Sequence, residues 1–126
     1  MTQLPITINR DSRGLLGFLE LPFVSRRWAL TCSVNFNADR GGHALKCTSE
    51  IIVLLSGSCR LSLSNEAGIL QSIDLIRLDS AILVEPLVYR TLSNFSSNCV
   101  LLHCYDRYFD PSEYIHSKEE LLHYCV

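Results

Sequence analysis

Apolar residues along this chain come in short bursts broken by turn residues. Cys59-Arg60-Leu61-Ser62-Leu63-Ser64 alternates apolar and polar positions, the period of a half-buried strand. Glu50 to Leu55 is a β-branched and aliphatic run that Ser56-Gly57-Ser58 interrupts, and Asn65-Glu66-Ala67-Gly68 carries a turn signal. Further strands are predicted over Arg27 to Val34, Ile69 to Leu78, Ala81 to Glu85 and Cys99 to Tyr105. Many short strands at this spacing predict an all-β sandwich or barrel. Only the C-terminus reads as helical. Asp110-Pro111-Ser112-Glu113 offers a cap residue, a proline at the first helical position and a glutamate at the third. Ser117-Lys118-Glu119-Glu120 repeats the capping pattern ahead of Leu121 and Leu122, so one or two short helices are expected on the outside of the β structure.

Composition narrows the picture. With 126 residues, 48% of them hydrophobic, residues 1–126 suit one domain with one core. A net charge of −2 gives no general attraction to nucleic acid or to an anionic membrane. Ile51 to Leu55, the longest internal apolar run, is too short to span a bilayer, and Met1 to Arg10 lacks the apolar core of a signal peptide. The expected location is cytoplasmic. The six cysteines form no Cys-x-x-Cys pair and sit mostly in apolar runs, which reads as reduced, buried thiols.

The chemistry concentrates in Arg40-Gly41-Gly42-His43-Ala44-Leu45-Lys46, followed by Glu50 and Gly57. The order His, Glu, Gly is that of a cupin's first motif, with Leu45 where a second histidine stands. Around it lie Asp11-Ser12-Arg13-Gly14, Leu21-Pro22-Phe23, Arg26-Arg27, Glu85-Pro86-Leu87-Val88-Tyr89, Leu92-Ser93-Asn94-Phe95-Ser96, and Tyr108, Asp110 and Glu113-Tyr114-Ile115. In this order the segments resemble the sugar 3,4-ketoisomerases of the cupin superfamily, which act on dTDP-4-keto-6-deoxyglucose. The resemblance implies a cupin-like jelly-roll β-barrel and a homodimer with intertwined N-terminal strands. It also implies a dTDP-linked sugar in the barrel and a metal-independent reaction with no cofactor. In that reaction a base removes the proton at sugar C3, an enediol forms, and a proton returns at C4.

Against the same pattern, Leu45 occupies the main acid/base position and a tyrosine expected near Thr31 or Cys32 is missing. Tyr89 stands where tryptophan is common and Arg90 where histidine is common. His43 is then the leading proton carrier, since imidazole titrates near neutrality. Arg40 is the second catalytic candidate, its guanidinium suited to a diphosphate or a keto oxygen. Arg27, Tyr89, Arg90 and Glu50 are candidate substrate contacts. With Leu45 and Arg90 replacing histidines, at most two of a cupin's usual four metal-ligand positions survive, so no metal is expected. Asn94 suits a turn, His103 a structural place in an apolar strand, and His116 and His123 the solvent. Three functions stay open: a 3,4-ketoisomerase acting on a dTDP-4-keto-6-deoxyhexose, a degenerate cupin that binds a nucleotide sugar or another small ligand without turnover, or a structural dimer with no ligand.

Overall fold

The computed structural model describes residues 2–35 and 37–125, and in it the short-strand pattern becomes twelve strands and one α-helix among the described residues. One five-stranded sheet runs in the order β1 (Thr2–Pro5), β9 (Ser80–Val84), β6 (Glu50–Ser56), β11 (Val100–Tyr105) and β4 (Arg27–Cys32). The other runs β12 (Tyr114–Ile115), β5 (Arg40–Leu45), β10 (Tyr89–Ser93), β7 (Cys59–Ser64) and β8 (Leu70–Leu75). β2 (Thr7–Asp11) and β3 (Gly14–Phe18) form a separate hairpin. All pairings are antiparallel. The fold is therefore all-β and cupin-like, as expected, with its two main sheets as separate hydrogen-bonded ladders.

Burial explains the two kinds of strand seen in the sequence. The alternation in β7 buries Cys59, Leu61 and Leu63 against Ile52 and Leu54 of β6, Ile82 and Val84 of β9 and Leu101 of β11, so these residues fill the space between the sheets. β6 lies in the middle of its sheet and is covered on both faces. Its other face, Ile51 and Val53, packs with Ala81 and Cys104 under Leu19, Leu21 and Phe23 of the N-terminal segment. A strand buried on both sides reads as a continuous apolar run, which is why Ile51 to Leu55 does not alternate.

The outer face of the second sheet is closed by α1 (Lys118–Tyr124), whose Leu121 packs on Ala44 and Ile115. Ser117 caps this helix through its hydroxyl, which accepts from the Glu120 backbone N–H. Asp110 caps a single 3₁₀ turn at Pro111–Glu113, so the second helical signal yields a turn and not an α-helix. The Ile69 to Leu78 run contributes a shorter strand than expected, and Ile69 and Ile76 beyond its ends are exposed. All six cysteines are free, but only Cys59, Cys99 and Cys104 are buried. Cys32 sits on the outward side of the edge strand β4, and Cys47 and Cys125 are also exposed, so the expectation of mostly buried thiols is corrected.

Candidate active site

The space between the sheets is not apolar throughout. Toward β4 and β5 it opens into a cavity lined by Thr31, Arg40, Gly41, His43, Glu50, Arg90, His103 and Tyr105, with Ala29, Leu30, Ile52 and Leu92 completing the wall. The signature strand β5 supplies Arg40 and His43. In β10, Arg90 pairs directly with His43, and the ladder is irregular between Arg90 and Thr91. Gly41 and Gly42 have φ of 78° and 72°, a conformation that side-chain-bearing residues rarely adopt. A Cβ on Gly41 would lie 2.9 Å from the Arg90 carbonyl oxygen. The glycine pair thus lets β5 bulge tightly against β10 and brings His43 and Arg90 side by side.

The first sheet contributes a diagonal of polar groups. Antiparallel register sets Thr31 of β4 and His103 of β11 on one face, with Glu50 of β6 beyond them. The Thr31 hydroxyl lies 2.8 Å from His103 Nε2, and His103 Nδ1 lies 2.6 Å from Glu50 Oε2. The other Glu50 oxygen is held by Arg90 Nη1, and Arg90 Nη2 donates to the Val88 carbonyl at 3.0 Å. Glu50 and Arg90 are almost completely buried. Burial alone would push the Glu50 carboxyl up, but the Arg90 guanidinium and His103 outweigh it and hold the group at about 2. Burial and the Glu50 carboxylate both push the Tyr105 phenol up, so it stays a neutral donor.

His43 is poised differently. Burial and the Arg90 charge lower its pKa from the ordinary 6.5, with Glu50 opposing them, which favours the neutral ring. A hydrogen bond links it to the Gly41 backbone, while its Nε2 is buried with no partner. A neutral imidazole bonded through one nitrogen leaves a lone pair at the other, the requirement for a base. Tyr114 packs against the ring, with centroids 4.9 Å apart.

Of the residues predicted from sequence, Arg40, His43, Glu50 and Arg90 meet in the cavity. Arg27 stands behind it, its guanidinium 4.0 Å from the Tyr105 ring centroid and 5.4 Å from that of Phe109. Tyr89 lies on the opposite face of β10, against the cluster of Ala44, Ile115 and Leu121. Leu45 is 1% exposed and is not among the cavity-lining residues. Asn94, just past the end of β10, has φ of 54°. His103, expected in a structural place, is buried in β11 and bonded at both ring nitrogens, and it also lines the cavity. The signal for it was present. Glu50 and His103 are polar residues inside two apolar strands, and buried polar groups need partners.

No group of three or more His, Cys, Asp or Glu side chains suited to a metal ion occurs among the described residues. Both Glu50 oxygens are already engaged, and Arg90 places a positive charge beside them.

Comparison with known proteins agrees with this geometry. The family model described as "FdtA: WxcM-like, C-terminal" matches residues 1–125. A TDP-4-oxo-6-deoxy-alpha-D-glucose-3,4-oxoisomerase from Aneurinibacillus thermoaerophilus is 32% identical over 120 residues, covering 92% of this chain and 86% of that protein. The structure of a 3,4-ketoisomerase from Helicobacter canadensis superposes with a TM-score of 0.91 at 28% identity, over 98% of this chain and 95% of that one. The WlaRB TDP-quinovose 3,4-ketoisomerase from Campylobacter jejuni gives a TM-score of 0.90 at 29% identity, over 97% and 96% of the two chains.

Proposed function

Because the chain belongs to the FdtA, WxcM-like C-terminal family, we propose that it is a sugar-nucleotide 3,4-ketoisomerase acting on a TDP-linked 4-keto-6-deoxyhexose. The observation that carries this reading is that His43, held toward its neutral form and with a buried, unpartnered Nε2, lines the same cavity as Arg40. His43 takes the proton from C3 as the electron pair moves toward C4, and charge develops on the C4 oxygen. Arg40, on the cavity wall, faces that charge as a donor. The proton returned to C4, with the O3 hydroxyl proton passing to O4, completes the move of the keto group to C3. One carbon is oxidised as its neighbour is reduced, so no external redox partner and no cofactor is required.

Glu50 and Arg90 act from the cavity wall, and Arg27 stiffens that wall through Tyr105. Incubation of the protein with dTDP-4-keto-6-deoxyglucose, followed by proton NMR, tests the proposal. A 3-keto product is expected, and His43→Gln lowers its rate about 10²- to 10⁴-fold. Ligand line-broadening without product would overturn catalysis and leave a binding protein.

The protein further acts as a homodimer in this reading. The β2–β3 hairpin pairs only with itself among the described residues and exposes Leu15, Leu16 and Phe18. The edge strand β4 exposes Trp28 and Leu30, and Tyr108 and Phe109 are exposed as well. Apolar groups and an open strand edge in one chain favour a second copy. Light scattering is expected to give twice the chain mass and Leu16→Glu to halve it; a monomeric wild-type protein would overturn the pairing. No helix among the described residues is long and apolar enough to cross a membrane. Free, exposed Cys32, Cys47 and Cys125 suit the reducing cytoplasm.

A further inference from the structure

We propose that Thr31, His103 and Glu50 form a proton relay that moves the hydroxyl proton of the substrate from O3 to O4, while His43 handles the proton on carbon. This rests on the ketoisomerase reading above. That reaction must move two protons, one from C3 to C4 and one from O3 to O4, and a single imidazole cannot hold both at once. Leu45, at the motif's second histidine position, carries no proton. The structure supplies another chain of groups on the facing sheet.

Its order is set by hydrogen-bond chemistry. A carboxylate only accepts, so His103 Nδ1, 2.6 Å from Glu50 Oε2, carries the ring hydrogen. In the neutral ring His103 Nε2 then accepts, and the Thr31 hydroxyl at 2.8 Å donates to it. The remaining lone pairs of Thr31 Oγ1 are free to accept from a substrate hydroxyl in the cavity that Thr31 lines. When the O3–H bond breaks, its proton passes to Thr31 Oγ1 and the threonine's own proton passes to His103 Nε2. The imidazolium that forms faces the Glu50 carboxylate, which Arg90 holds from the other side. Reversal at O4 returns the proton and restores the neutral ring. Other charged or titratable side chains close to this path include Tyr105, whose ring stacks 6.3 Å from His103, Arg27 behind it, His43 and Arg40 on the same cavity wall, and Cys104, whose thiol burial and the Glu50 charge push up. Thr31 touches the substrate in this scheme; His103 and Glu50 act through it.

Without the relay, His43 still removes and returns the C3 proton, but the intermediate cannot complete the oxygen-side transfer. In D₂O, His103→Gln and Thr31→Val are therefore expected to lower 3-keto product formation about 10²- to 10⁴-fold. C3 exchange into recovered substrate should stay within about tenfold of wild type. TDP affinity and the melting transition verify folding, and Thr31→Val decides alone if His103→Gln does not fold. Nitrogen NMR of resting wild-type protein should show His103 as the Nδ1–H tautomer. A folded Thr31→Val protein that keeps wild-type product formation, or loses product and exchange in parallel, would overturn the relay. So would an imidazolium or Nε2–H ring at His103. Wild-type protein that binds TDP yet gives neither product nor exchange would overturn the ketoisomerase reading, and the relay with it.

Discussion

The space between the two sheets has two halves built by the same strands in opposite ways. Toward β7, β8 and β9 it is filled by Leu61, Leu63, Leu75, Ile82 and Val84, with no charge among them. Toward β4 and β5 the same layer holds Glu50, Arg90, His103 and His43 around a cavity. β6 takes part in both: Glu50 opens the strand in the polar half, and Ile52 and Leu54 continue it into the apolar half. The comparison teaches that one half is stabilised by area removed from water, whereas the other contains charges whose burial is tolerable only because each has a partner. In the proposed function the polar half is where a ligand finds prearranged groups, and its stability depends on pairing rather than on volume.

The sharpest way to break the comparison is to unpair the charges. Glu50→Gln leaves the Arg90 guanidinium buried without a counter-charge, and urea unfolding should register a loss of about 3–5 kcal/mol. Replacing both partners, Glu50→Leu with Arg90→Met, should cost less than either single change while abolishing activity. In the apolar half, Leu61→Ala should lose about 2–5 kcal/mol through transfer and cavity effects, with KM for the sugar nucleotide unchanged. Equal changes in KM from both halves would erase the division.

Acid separates the halves next. The Glu50 carboxyl is held at about 2 in the fold against an ordinary 4.5, so its contribution is present above pH 4.5 and is lost as pH falls toward 2. That contribution is roughly 3 kcal/mol, and it should vanish from the stability–pH curve of Glu50→Gln but persist in Leu61→Ala. The smallest effect is expected at the bulge. Gly41→Ala forces a side chain into φ of 78° and against the Arg90 carbonyl, costing about 1–3 kcal/mol with reduced activity.

The apolar half was legible from sequence because alternation reports burial directly, as in Cys59 to Ser64, which is a strand over those same residues. The signature strand was legible through its glycines and His43. β1 and the β2–β3 hairpin were not legible from the residue pattern, and only the resemblance implied N-terminal strands, since Thr7-Ile8-Asn9-Arg10 and Gly14 to Phe18 pack on little within the chain and alternate weakly. His103 was visible as a polar residue in an apolar strand, but the face it meets was hidden for the opposite reason. β11 is buried on both faces around it, so the run from Val100 to Tyr105 gives no phase to show which face a residue meets. Its role depends on a diagonal through three strands distant in sequence, and no local pattern records such a register.

The central claim, that the polar half performs proton transfer at sugar C3, is tested most directly by the fate of one hydrogen. Wild-type protein and dTDP-4-keto-6-deoxyglucose in D₂O should lose the C3 proton signal at a rate that scales with protein concentration, with 3-keto product appearing alongside. An unchanged C3 signal, in a sample where TDP binding is demonstrated, would contradict the account.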